Sequence, residues 1–173
     1  MAIVAPRKGF TLVEIMVTIC IISILFAIVA PIFLQVNRQF IQVRTRLELQ
    51  QEARGILYTL TRSLRQAHIG SITISRANTS QPFYSKITFT TEQSASAYVS
   101  NTMVFQQERT VLYQLVGGTG KRVLSRNLNY LAFTFPRSDD MSLVSVTVTL
   151  RKSIYEANKY ALITASEQVR IMN

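Results

Sequence analysis

The chain has one cysteine, Cys20, one histidine, His68, and no tryptophan. A single thiol excludes an intramolecular disulfide, so the fold must rest on a core and on backbone pairing. Cys20 lies inside an apolar run and reads as a small hydrophobe. His68 has no cysteine or acid at metal-ligand spacing; near the expected end of a helix it suits the last carbonyls and the helix dipole. With no nucleophile–base pair, no catalytic constellation is visible and no cofactor is implied. Acids are also scarce: 9 Asp+Glu stand against 19 Lys+Arg, a formal net charge of +10. That excess suits nucleic acid, anionic lipid headgroups or an acidic partner protein; the plainer alternative is a solvated basic exterior. The arginines are scattered, without the dense basic run of a nucleic-acid tail.

Two further patterns fall short of a site. Asp139 and Asp140 are adjacent acids with no third acid close by, whereas calcium takes about 6–8 oxygen ligands. Gly117-Gly118-Thr119-Gly120-Lys121-Arg122 resembles a phosphate loop only superficially, because Leu115 and Arg122 occupy its first glycine and final Ser/Thr positions. Set between alternating apolar runs, it reads as a hairpin turn.

Charge is almost absent from residues 10–36, where Glu14 is alone. Crossing a bilayer takes about 20 predominantly apolar residues, so this segment is long enough to span. Arg7 and Lys8 precede it and favour a cytoplasmic N-terminus; Arg38, Arg44 and Arg46 beyond it weaken that bias. A secretory signal cut near Ala30 and a plain signal anchor are two simpler readings. Ile28 and Pro31 fit the first poorly, and neither accounts for Glu14. An acid at membrane depth marks function by default and needs a partner. Cleavage after Gly9 would create one: the α-amine of Phe10, with an unperturbed pKa near 7.7–8.0, would be largely protonated at neutral pH. It would precede Glu14 by one helical turn, and between neighbouring subunits such a pair would set axial register in a low dielectric.

Beyond the apolar run, Phe40, Val43, Leu47, Ala53, Ile56, Leu57, Leu60, Leu64 and Ala67 recur at steps of three and four. That spacing predicts an amphipathic helix over 37–68, kinked near Pro31 and stopped near His68–Gly70. From Ser71 onward the period becomes two. Ile72/Ile74, Ile87/Phe89, Val111/Tyr113/Leu115, Leu131/Phe133/Phe135 and Val144/Val146/Val148/Leu150 each alternate apolar with polar, and a last strand falls within 160–172. The expected class is α+β: a long N-terminal helix packed on an antiparallel β-sheet head spanning 69–173.

The run Lys8-Gly9-Phe10-Thr11-Leu12-Val13-Glu14-Ile15 resembles the signal of type IV prepilins and pseudopilins. The resemblance implies a leader of residues 1–9, removed by a prepilin peptidase that then methylates Phe10. It also implies an assembly role for Glu14, a kink at Pro31, and the pilin fold. Residues 53–67 and the pattern "LNYLAFTFP…LVSVTVTLRK" are similar to W-type minor pilins and J-type minor pseudopilins. The C-terminal cysteine pair of many major pilins is absent. The implied setting is a single-pass cytoplasmic-membrane protein, N-in and C-out, stored before entry into a pilus or periplasmic pseudopilus. Its implied partners are the peptidase, other major and minor pilins or pseudopilins, and an inner-membrane assembly platform. A binding role for the basic head, toward DNA or an anionic surface, is the alternative.

Overall fold

The computed structural model describes residues 9–91, 101–118, 120–154 and 159–172. Leader residues 1–8, with Arg7 and Lys8, and Thr119 of the glycine-rich turn lie outside the described residues. The chain divides into two compact units, Met1–Ile41 and Gln42–Asn173. A single helix, α1 (Leu12–Arg65), supplies most of the first unit and the spine of the second.

In the first unit every described residue from 9 to 40 is exposed, and the helix is long and apolar enough to cross a membrane. Its hydroxyls are satisfied within the helix: Thr18 Oγ1 donates to the Ile15 carbonyl at 2.8 Å and Ser23 Oγ to the Ile19 carbonyl at 2.7 Å. Such back-bonding leaves no hydroxyl to be desolvated unpaired in lipid. Pro31 lies inside α1 and does not end it, although its ring removes the donor that would serve the Ala27 carbonyl.

In the second unit α1 buries Leu49, Ala53, Ile56, Leu57, Leu60 and Leu64 against the sheets. The expected apolar face is corrected at its start. Phe40, Val43 and Leu47 are 65%, 56% and 52% exposed. Helical steps from Val43 and Leu47 lead to Gln51, Arg54 and Tyr58, not to Leu49 and Ala53, so two stripes had been merged into one. The helix also ends earlier than glycine punctuation predicts. Ala67 forms an isolated bridge with Thr91, and the His68 amide donates to the Thr90 carbonyl at 3.0 Å, which draws the chain out of the helix. Arg62 and Arg65, rather than His68, occupy the last turn, where cations complement the dipole. Gly70 sits in a short 3₁₀ turn, Ile69–Ser71.

The head contains two antiparallel sheets where the pattern suggested one. The first holds β1 (Thr73–Ser75), β2 (Lys86–Thr91), β3 (Asn101–Glu108), β4 (Val111–Val116) and β5 (Gly120–Ser125) in sequential order. The second holds β6 (Leu128–Thr134), β7 (Leu143–Ser153) and β8 (Tyr160–Arg170). Alternation set the inward faces of β2 and β7 correctly, with Ile87, Phe89, Val144, Val146, Val148 and Leu150 all fully buried. On β4 the faces are reversed from expectation. Leu112 and Gln114 are buried, while Val111, Tyr113 and Leu115 are half-buried, with Lys121 Nζ 3.8 Å from the Tyr113 ring centroid. Phe89 and Phe105 stack at the centre of the core, centroids 6.0 Å apart.

Gln107 joins the sheets. Its side chain is 2% exposed, accepts from the Leu131 amide at 3.1 Å, and donates to the Arg109 and Asn129 carbonyls at 2.8 and 3.3 Å. The Phe133 amide, two residues on, donates to the Tyr84 carbonyl at 2.9 Å. The outer edge of β6 is therefore capped by a side chain and a loop, and no ninth strand is needed there.

Turn chemistry fixes two of the hairpins of the first sheet, β3–β4 and β4–β5. Gly117 and Gly118 have φ of 61° and 79°, and Val116 pairs with Gly120, which makes the glycine run the β4–β5 turn. In the β3–β4 turn Arg109 has φ 54°, the left-handed region, without glycine's freedom. Arg109→Gly is expected to stabilise the head by roughly 0.5–1 kcal/mol, since left-handed strain exceeds glycine's added chain entropy. A raised denaturant midpoint at unchanged slope checks this.

Candidate functional site

The N-terminal segment begins without regular structure at Gly9, Phe10 and Thr11, and α1 starts at Leu12. Thr11 is the helix cap. Its Oγ1 accepts from the Glu14 amide at 3.4 Å, and its carbonyl accepts from the Glu14 and Ile15 amides at 3.1 and 3.3 Å. Thr11-Leu12-Val13-Glu14 has the Thr-x-x-Glu spacing of a capping box, a signal present in the sequence that the reading by resemblance passed over. The carboxylate of Glu14 thus sits in the first turn, where the positive end of the helix dipole favours it.

Phe10 is 78% exposed and Gly9 is exposed, with open space around it. A protease could therefore reach the Gly9–Phe10 bond. In the uncleaved chain residue 10 precedes the helix, which starts at Leu12. Glu14 forms no ion pair among the described residues. Pro31 is far along the same helix, and the segment brings Gly9, Phe10 and Glu14 together but not Pro31.

Among the described residues, no group of three or more His, Cys, Asp or Glu side chains is placed to hold a metal. Asp140 instead binds its own turn. It accepts from the Ser142 hydroxyl and, at 2.9 Å, from the Ser142 amide; these bonds, with Arg170 and Arg137 nearby, hold its carboxyl below the usual range. Glu48 accepts from Lys152 Nζ at 2.8 Å and from Arg44 Nε at 3.2 Å, and Lys152 is the main reason its carboxyl is likewise lowered. Both groups face solvent, so these pairs fix geometry more than they stabilise. Asp140 is thus held by its own turn, and the His68 backbone by strand β2.

With the fold and the N-terminal geometry in place, comparison with known proteins adds one match. Residues 4–30 match the family described as the prokaryotic N-terminal methylation motif. No curated protein and no solved structure matches the chain. The chain carries a type IV prepilin-like signal on an α+β pilin-like fold. The match is confined to this N-terminal segment, whose helix is long and apolar enough to cross a membrane.

Proposed function

We propose that this chain is a minor pilin or pseudopilin, a structural subunit of a type IV pilus or a type II secretion-like filament. The observation that carries the reading is the methylation motif over 4–30 coinciding with an exposed Gly9–Phe10 bond one step before a capped apolar helix. A prepilin peptidase cuts after Gly9 and the new amine of Phe10 is methylated; residues 10–36 then hold the subunit in the cytoplasmic membrane, N-in and C-out. During assembly the assembly platform extracts the helix into the filament, where Glu14 meets the Phe10 amine of a neighbour. Pro31 lets the helix bend where its backbone bond is missing. The chain is the substrate of enzymes rather than an enzyme, and the amphipathic 37–68 stretch with its β head is displayed outward.

Co-expression with a prepilin peptidase should yield a membrane-extracted product lacking residues 1–9 and carrying one added methyl group by intact mass. Retention of the leader, or a cut near Ala30, would remove the basis for this function.

The net charge of +10 favours a second reading, a filament-borne receptor for DNA or another polyanion. That reading requires binding by the detergent-solubilised chain to weaken steeply with salt, the log of affinity falling linearly with log salt. Salt-independent binding, or none at low salt, rejects it.

A further inference from the structure

The first sheet ends at β5, and over residues 120–124 no described residue bonds to the strand's outer edge; its only ladder is with β4. Between β5 and α1 lies an open groove of about 270 Å³, lined by Glu52, Gly55, Ile56 and Thr59 of the helix and by Arg122, Val123 and Leu124 of the strand. Gly55 is the unusual member. Glycine weakens a helix interior relative to alanine, yet a Cβ at residue 55 would meet no atom within 4 Å. No described residue of the subunit requires a glycine there. A glycine that leaves empty space beside an unpaired strand edge is the arrangement that admits a second backbone at close range.

The charges around the groove give the occupant its sign. Arg122 lines it, Arg62 follows Gly55 by two helical turns on the same side, and Arg126 lies just past β5. None of the three has an ion-pair partner among the described residues. The one acid lining the groove, Glu52, accepts from Asn127 Nδ2 at 2.9 Å; the neutral amide leaves its charge in place, and the three arginines outnumber it. A charged edge strand is also a common guard against unwanted pairing, but here the edge lysine is held away. Lys121 is bound to Glu108 at 3.0 Å and lies over Tyr113.

We infer that the β5 edge and the Gly55 groove form a docking site for an extended, acidic segment of a neighbouring subunit, which adds to the sheet as a sixth strand. Backbone pairing along β5 supplies affinity, and pairing of its carboxylates with Arg122 and Arg62 selects the segment. A second copy of this basic chain is a poor electrostatic match, and a groove of this size suits one extended peptide better than a nucleic-acid duplex. The inference rests on the filament reading above.

The test uses the full chain in the cells that make it, with a photo-crosslinking amino acid at Val123, which is 42% exposed. In sheared filaments, the crosslinked peptide identified by mass spectrometry should come from a different subunit and carry Asp or Glu beside the attachment point. No crosslink, or one to a second copy, to a basic segment or to nuclease-sensitive material, overturns the inference. Gly55→Ala and Gly55→Leu separate docking from folding. Alanine should raise the melting temperature by about 2–4 °C, whereas leucine, folded at least as stably as the parent, should fall at least tenfold in filament incorporation. Normal incorporation of Gly55→Leu overturns the inference while leaving the filament reading intact. Absence of the parent chain from filaments overturns the filament reading itself, and the inference with it. Arg122→Glu should behave like Gly55→Leu and Arg122→Lys like the parent.

Discussion

Glu14→Ala is expected to be cleaved after Gly9 and methylated on Phe10 as fully as the parent, and to enter filaments at least tenfold less. The cleaved bond lies before the helix, and Thr11 still caps α1 through its own hydroxyl and carbonyl, so the substitution leaves the peptidase's target in place. What is lost is the only charge in the apolar run of residues 10–36. That carboxylate forms no ion pair among the described residues, and on the proposed filament reading its partner is a neighbour's ammonium in the filament core. Removing one member of a desolvated charge pair costs about 2–5 kcal/mol, because the other is left buried and alone. Even the lower value exceeds the roughly 1.4 kcal/mol that changes an equilibrium tenfold. Glu14→Gln keeps the shape and a hydrogen bond while deleting the charge, and should be nearly as defective. The measurement is the ratio of this subunit to the bulk subunit in sheared filaments, against the membrane pool. Undiminished incorporation of both variants would show that Glu14 serves only the helix start.

The parts of this molecule legible in the sequence are those whose signal is local. The methylation motif over residues 4–30 stands in one short run, and the long apolar helix needs only its own composition. β2 and β7 announce themselves because polar residues separate their inward Ile87, Phe89, Val144, Val146 and Val148. β3 carries a weaker pattern, since its inward positions include Gln107, a polar side chain buried for bonds to β6 that no local window contains. β5 opens Gly-Lys-Arg and stays exposed over most of its length, so it lacks the apolar face by which strands are recognised. β4 misleads for the opposite reason. It has apolar residues on both sides, and the side the core selected holds Leu112 and Gln114. The same limit explains Val43 and Leu47. Periodicity reports that a face is apolar but not which surface covers it, and a subunit of the proposed filament would have two: its own sheets and its neighbours.

The largest effect on folding is expected at Gln107, through partners distant in sequence. Gln107→Leu conserves volume and adds apolar surface, which by composition alone should be tolerated in a core. The geometry gives the opposite sign. The Leu131 amide would lose its acceptor, and the Arg109 and Asn129 carbonyls would lose a shared donor, at a site where the native side chain is 2% exposed. A buried group left unpaired costs about 1–3 kcal/mol. With the amide orphaned and the carbonyls partly so, the loss should be about 3 kcal/mol, or about 10 °C in melting temperature for a head of this size. Gln106→Leu, next door on the solvent side of β3, removes only a bond to exposed Glu108 and should shift stability by less than ~0.5 kcal/mol. Melting of the full chain in detergent, followed by the near-ultraviolet dichroism of its 7 tyrosines, reports the head and is blind to the tyrosine-free anchor. Equal behaviour of the two variants would mean that the sheets are held together by the shared apolar core alone. A loss confined to Gln107→Leu would identify the β3–β6 polar bridge as what keeps two small sheets acting as one head.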